Sequence, residues 1–303
     1  MRTLEFFQLD VFAEKPLTGN PLAVFPDAVG LDDRTMQALA REMNLSETTF
    51  VFPSDRATRQ VRFFTPTAEV PLVGHPTVGT WWLLAELGEL AVEPNETVRV
   101  TQETKAGVLP VDIVMASEGP RRVTMTQNTP EFGLTVHDIE ELANALGGDE
   151  ALIARSPAPQ LVSTAMPQLI IPIQSMQGLQ KLPSGGRGAD LADVLRQYGT
   201  DCAMCFNQTS KPGVVRCRMF APGLGVPEDP ATGSAAGALG CYLVQHGLAH
   251  ATDGVLRIVV EQGAEIDRPS RIEVEIHAGV DAAITDVRVG GSAVTVIRGE
   301  VRL

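Results

Sequence analysis

This chain repeats itself, and that limits its folds more than any other feature. Residues 62–71 read RFFTPTAEVP and residues 218–227 read RMFAPGLGVP, so Arg, Phe, Pro, Val and Pro recur at a constant offset of 156 residues. The flanks match in kind: LVGHPTVGTWWLLAELG follows the first copy and EDPATGSAAGALGCYLVQHG the second. Each is a proline-containing turn leading into about a dozen apolar or small residues, a stretch that ends at a glycine, Gly88 or Gly247, where a left-handed helix cap is expected. A helix apolar all round is a buried one. Upstream, DDRTMQALAREMN (32–44) places Met36, Leu39, Ala40 and Met43 at helical spacing before the strand-like ETTFVFP. The second half offers ADLADVLRQYG and then DCAMCFNQ. The order helix, strand, R-x-F strand, turn, buried helix therefore occurs twice, which predicts two similar α/β domains, each a sheet wrapped around one buried helix.

With 303 residues, 44% of them hydrophobic, there is apolar material for two such cores. The expected division is residues 1–118 plus 291–303 against 119–290, with ASEGPRR (116–122) as linker and a last hairpin turning at Gly290 and Gly291. Pattern alone leaves open whether the final strand AVTVIRGEVRL returns to the first domain. LPSGGRGAD (182–190) is expected as a surface loop.

A formal net charge of −13 repels phosphate backbones and anionic membranes, so a nucleic-acid partner is not expected. No uncharged apolar window approaches the roughly 18 residues that span a bilayer, and MRTLEFFQLDVF lacks the pattern of a signal peptide. A cytoplasmic protein is expected. Cys202 and Cys205 form a C-x-x-C, but in a strand such positions point to opposite faces, so buried structural thiols are expected over a metal or redox site. Apart from His75 the histidines are expected to be surface or satisfied residues rather than metal ligands, and G-x-G-x-x-G is absent.

Aligning HPTVG with DPATG sets His75 opposite Asp229, each at the start of a buried helix. Such starts present unpaired N–H groups and a positive dipole, suited to a carboxylate, if both turns open into one cleft. Plain N-capping by Asp229 or Thr232 is the alternative. Glu47, in NLSETTF, lies beside enough apolar surface for a raised pKa, which suits proton transfer; the alternative is an exposed loop glutamate. Glu228 has no assigned duty.

With GNPLAVF (19–25), NLSETTFVF (44–52), FFTPTAEVPLVGHPTVG (63–79) and MFAPGLGVPEDPATGSA (219–235), the sequence resembles the phenazine biosynthesis PhzF-like family. The resemblance covers nearly the whole chain. It implies the α/β diaminopimelate epimerase-like fold, two pseudo-symmetric domains with the active site in the cleft between them. It also implies a cofactor-independent isomerase that moves a proton within a small carboxylate-bearing metabolite, as with trans-2,3-dihydro-3-hydroxyanthranilate. On the family's motifs Glu47 carries the proton, with His75 and Asp229 beside it as the other catalytic residues. Ser234 matches a substrate-contacting serine, and Asn20, Ser46, Gly74, Thr232 and Gly233 fall in the same motifs as substrate-binding positions. A homodimer is expected by resemblance, and no cofactor or metal is implied.

Two other readings stand beside this one: a two-base epimerase setting Glu47 or His75 against Asp229, and a metabolite-binding protein that keeps the fold without turnover. The paired thiols of diaminopimelate epimerase and proline racemase are missing from the matching turns, and Cys241 falls inside the second buried helix. T-G-S-A lacks the G-x-S-x-G of a serine hydrolase.

Overall fold

The computed structural model describes residues 2–90, 92–279 and 283–303. In chain order the first elements are β1 (Thr3–Val11), β2 (Asn20–Phe25), α1 (Asp33–Met43), β3 (Glu47–Phe52), β4 (Arg59–Phe64), β5 (Glu69–Val70), α2 (Gly74–Glu86), β6 (Thr97–Thr104), β7 (Gly107–Ala116) and β8 (Gly119–Gln127). Next come β9 (Glu131–Thr135), α3 (Glu140–Leu146), β10 (Gln160–Ser163), β11 (Pro167–Pro172), α4 (Met176–Lys181), α5 (Ala189–Gln197), β12 (Ala203–Gln208), β13 (Val214–Ala221) and β14 (Val226–Asp229). The chain ends with α6 (Gly233–Gln245), β15 (Val255–Gln262), β16 (Ser270–Ala278), β17 (Ile284–Gly291) and β18 (Ala293–Arg302). It divides into two compact units, residues 1–126 with 290–303, and residues 127–289.

In the first unit β18, β1 and β2 pair antiparallel, β2 and β3 parallel, β3 and β4 antiparallel, β4 and β6 parallel, and β6 and β7 antiparallel, with β5 folded back on β4. The second unit repeats that alternation. There β9, β10 and β11 pair antiparallel, β11 and β12 parallel, β12 and β13 antiparallel, β13 and β15 parallel, and β15 and β16 antiparallel, with β14 folded back on β13. Each sheet wraps one helix. In α2 every residue from His75 to Trp81 is buried, and α6 is buried from Ala235 to Leu243. Neither helix carries an acidic residue in its first turn, in keeping with the burial of most of the helix.

The outer helices obey local rules. Asp32 caps α1 by accepting the Thr35 N–H at 2.7 Å, and Asn44 closes it in the left-handed conformation. Its apolar stripe, Met36, Leu39 and Ala40, packs beside Phe25, Phe50 and Phe64. The second unit's outer layer uses Leu191, Val194 and Leu195 of α5 with Leu142 and Leu146 of α3.

Two expectations are corrected. Residues 116–122 are no linker: Ala116 pairs with Gly119 at the turn of the β7–β8 hairpin, which continues through Thr126. Gly290 and Gly291 belong to β17 rather than to a turn, and a Cβ on Gly290 would lie 2.4 Å from the Val123 carbonyl oxygen. Close strand approach, not turn geometry, demands that glycine.

Candidate active site

The repeat aligns differently in space from the way it aligns in sequence. Strands β4 and β13 keep the original offset, since Phe63 pairs with Val70 in one copy and Met219 with Asp229 in the other. Beyond them the second copy is three residues longer. The first copy turns tightly over Thr65–Ala68, whereas the second inserts a 3₁₀ turn at Pro222–Leu224 closed by a left-handed Gly225. The helices then begin at Gly74 and Gly233, so E-V-P-L-V-G-H superimposes on E-D-P-A-T-G-S. The counterpart of Asp229 is therefore Val70, and that of His75 is Ser234. Setting His75 opposite Asp229, as the sequence suggested, misses the insertion.

Glu228 also acquires a duty through this register: it is the counterpart of Glu69. Glu69 binds Arg62 at 2.8 and 2.6 Å, and Glu228 binds Arg218 at the same two distances. Each arginine also lies over the phenylalanine two residues on, 5.3 Å from the Phe64 centroid and 5.1 Å from that of Phe220. The first pair is partly open to solvent. The second is 2% and 1% exposed, and Arg218 further donates to the carbonyls of Leu179 and Leu182 at 3.2 and 2.5 Å. Because a strand alternates its faces, burying Glu228 turns Asp229 to the other side, toward the start of α6.

In the first unit Asn20, Glu47 and His75 come together. Glu47 opens β3, Asn20 opens β2 beside it, and His75 is the second residue of α2. His75 Nε2 lies 3.3 Å from Glu47 Oε2, and Asn20 Nδ2 lies 3.4 Å from His75 Nδ1. Burial pulls the imidazole down to about 3, so it is neutral at physiological pH. Gly19 holds the entry to β2 with φ +63°, where a Cβ would strike the Val11 carbonyl oxygen at 2.3 Å. Ser46 sits half-buried before Glu47, and Gly74 begins the helix.

In the second unit Asp229, Thr232, Gly233 and Ser234 form one turn. The Thr232 hydroxyl donates to Asp229 Oδ2. Thr232, the residue before α6, makes no side-chain capping bond, so plain N-capping by Thr232 does not account for the motif. Four residues missed by the sequence reading hold this turn. Gln262 donates to the Asp229 carbonyl at 2.7 Å and to Thr232 Oγ1 at 3.0 Å, and Ser270 donates to the Pro230 carbonyl at 2.9 Å. Gln127 donates to the Gly233 carbonyl at 3.0 Å and accepts from Thr164 at 2.7 Å. In the first unit Gln102 does the parallel work, accepting from Trp81 Nε1 at 3.0 Å and donating to Thr77 at 3.3 Å. A signal existed: Gln262 and Gln102 each stand in phase with the inward apolar residues of their strands, Ile258 and Val260 in β15, Val100 in β6.

The strand register also identifies the counterpart of Glu47. Thr48 pairs with Phe64 and Ala203 with Phe220, so the residue preceding each, Glu47 or Cys202, takes the same place. Cys202 is a buried thiol that burial, helped by nearby Asp201 and Asp229, pushes up to about 12. Cys205, Cys217 and Cys241 are likewise buried thiols with raised values.

The α/β unit used twice, each time a sheet wrapped around one buried helix, is the diaminopimelate epimerase-like fold. The chain belongs to the phenazine biosynthesis-like (PhzC-PhzF) family, whose model matches residues 9–299. It is 37% identical to an isomerase of uncharacterised reaction from Clostridium acetobutylicum, over 100% of this chain and 99% of the other. It is 34% identical to the trans-2,3-dihydro-3-hydroxyanthranilate isomerase of Pseudomonas chlororaphis, over 97% and 98%. The crystal structure of a PhzF-family phenazine biosynthesis protein from Bacillus anthracis covers 100% of both chains at 31% identity and a TM-score of 0.90.

Proposed function

We propose that this isomerase moves a proton between carbons of a small carboxylate-bearing, cyclic metabolite by general acid–base chemistry, with Glu47, His75 and Asp229 acting on the same substrate. The observation that carries the reading is the Glu47 carboxylate 3.3 Å from a buried imidazole that stays neutral. Taking a proton from a C–H bond and returning it elsewhere requires one group that is base in the first step and acid in the second, and Glu47 fills both roles. The uncapped N–H groups at Gly74, Gly233 and Ser234 suit a substrate carboxylate. Asn20, Ser46 and Thr232 complete the proposed binding positions. A single proton carrier is favoured over a matched pair because Cys202, the counterpart of Glu47, is a buried thiol that remains protonated.

Trans-2,3-dihydro-3-hydroxyanthranilate, the compound in the Pseudomonas relative's name, is the first substrate to test. In D₂O the wild-type chain should convert it with deuterium incorporated at one ring carbon, and Glu47→Gln should lose both conversion and exchange. Inversion of a stereocentre without a shifted double bond would favour the two-base epimerase. Absence of exchange with this compound and with a panel of cyclic carboxylates would leave the binding-protein reading. The same proposal includes a homodimer in the cytoplasm, with no nucleic-acid or membrane partner; sedimentation of the purified chain tests the assembly. No helix among the described residues is long and apolar enough to cross a membrane.

A further inference from the structure

Asn20 and His75 determine between them which imidazole nitrogen carries the proton. An amide nitrogen has two hydrogens and no available lone pair, so a ring nitrogen facing it must be the acceptor. Asn20 Nδ2 faces His75 Nδ1 at 3.4 Å in a setting where Asn20 is wholly buried and His75 is 5% exposed. A proton on Nδ1 would set two donors face to face without water. The proton of the neutral ring then lies on Nε2. That nitrogen sits 3.3 Å from Glu47 Oε2 but without the alignment of a hydrogen bond, leaving a buried N–H not consumed by the protein.

We infer that Asn20 is a positioning residue that locks His75 as the neutral Nε2–H tautomer, making His75 a fixed hydrogen-bond donor rather than a proton carrier. The donor would serve the substrate oxygen on which negative charge develops as Glu47 takes the carbon-bound proton. Neutral imidazole suits this role because it donates without surrendering its proton. The consequence deepens the isomerase reading and rests on it: of Glu47 and His75, only Glu47 moves a proton.

The surroundings of α2 favour this state. The helix packs against β1, β2, β3, β7 and β18. The ionisable side chains on those strands are Glu5 and Asp10 of β1, Glu47 of β3, Asp112 of β7, and Arg298, Glu300 and Arg302 of β18. Glu5 is paired with Arg298 and Asp112 with Arg99, while Asp10 accepts the Leu17 N–H at 2.6 Å. Glu86, at the far end of α2, accepts from Thr295. Within the ring's own surroundings Nε2 faces Glu47 at 3.3 Å and Nδ1 faces Asn20 at 3.4 Å.

The test is ring nitrogen NMR of the full chain labelled with ¹⁵N-histidine, His75 being assigned by its loss in His75→Gln. From about pH 5 to pH 9, where an ordinary histidine titrates, His75 should show hydrogen on Nε2 and a bare Nδ1 throughout. Hydrogen on Nδ1, or an imidazolium at neutral pH, overturns the inference. Asn20→Asp replaces the donor by an acceptor, and it should move hydrogen onto Nδ1. With trans-2,3-dihydro-3-hydroxyanthranilate it should lower kcat by about 10²-fold while leaving KM nearly unchanged, the loss expected for one misplaced donor. An Asn20→Asp ring unchanged in tautomer also overturns it. The wild-type spectrum needs no substrate, so a wrong substrate class would show as missing turnover beside the expected tautomer.

Discussion

At the residue scale, Glu47 and His75 behave as they do because β3 and α2 bring them out of water together. Glu47→Gln removes the proposed proton carrier without changing the shape of the side chain, so kcat should fall by about 10²–10⁴-fold with little change in thermal stability, as steady-state kinetics and melting would show. His75 adds an acid-sensitive contribution to stability. Folding lowers its pKa, so the unfolded chain takes up a proton first, and stability is intact above the ordinary value of 6.5 and is lost as pH falls toward about 3. Urea unfolding of the wild type should therefore weaken between pH 7 and pH 4 more than that of a His75→Asn variant, which has nothing to titrate there. An equal pH slope in both would contradict the buried neutral ring.

At the element scale, the R-x-F strand and the short strand folded back on it form a unit used twice. The arginine and glutamate that clamp them are equivalent in space but not in solvent exposure. Glu228→Gln leaves the Arg218 charge buried and uncompensated, and should cost on the order of 3–5 kcal/mol in urea unfolding. Glu69→Gln, at the half-open pair, should cost about 1 kcal/mol or less. Replacing Arg218 and Glu228 together by Met and Leu should recover most of the loss, because no lone charge then remains inside. Helix packing gives a separate test. A Cβ on Gly79 would lie 2.6 Å from Val11 Cγ2 and 2.7 Å from Leu22 Cδ2, so Gly79→Ala should destabilise the chain by about 1–3 kcal/mol.

At the scale of the whole molecule, the first unit is discontinuous: β18 pairs along the length of β1, from Thr3 opposite Arg302 to Val11 opposite Ala293. Nearly three hundred residues of chain separate those partners. Deleting residues 293–303 should expose an apolar β1 edge and unfold the first unit, seen as loss of cooperative unfolding and rapid proteolysis within residues 2–126. A truncated chain that melts as cooperatively as the full one would refute the pairing as a requirement.

Much of this was legible in the residues. The duplicated R-x-F strand and the two mostly apolar helices, with Gly88 and Gly247 following their ends, are local patterns, and helix and strand periodicity are set by the chain itself. The residue types of the candidate site, Glu47, His75, Asp229 and Ser234, were readable too, because they lie in long motifs. What the residues did not disclose depends on strand register. A three-residue insertion at Pro222–Leu224 is invisible in a repeat whose VP dipeptides still align, and it moved the counterpart of Asp229 to Val70 and of His75 to Ser234. Glu228 looked idle because its partner Arg218 is ten residues away across a fold-back. The contact of Asn20 with His75 spans 55 residues, and no periodicity records it. Local pattern is enough for most helices and strands and for the chemical groups they carry; which of those groups meet depends on packing between elements, because pairing across a sheet is set by both partners.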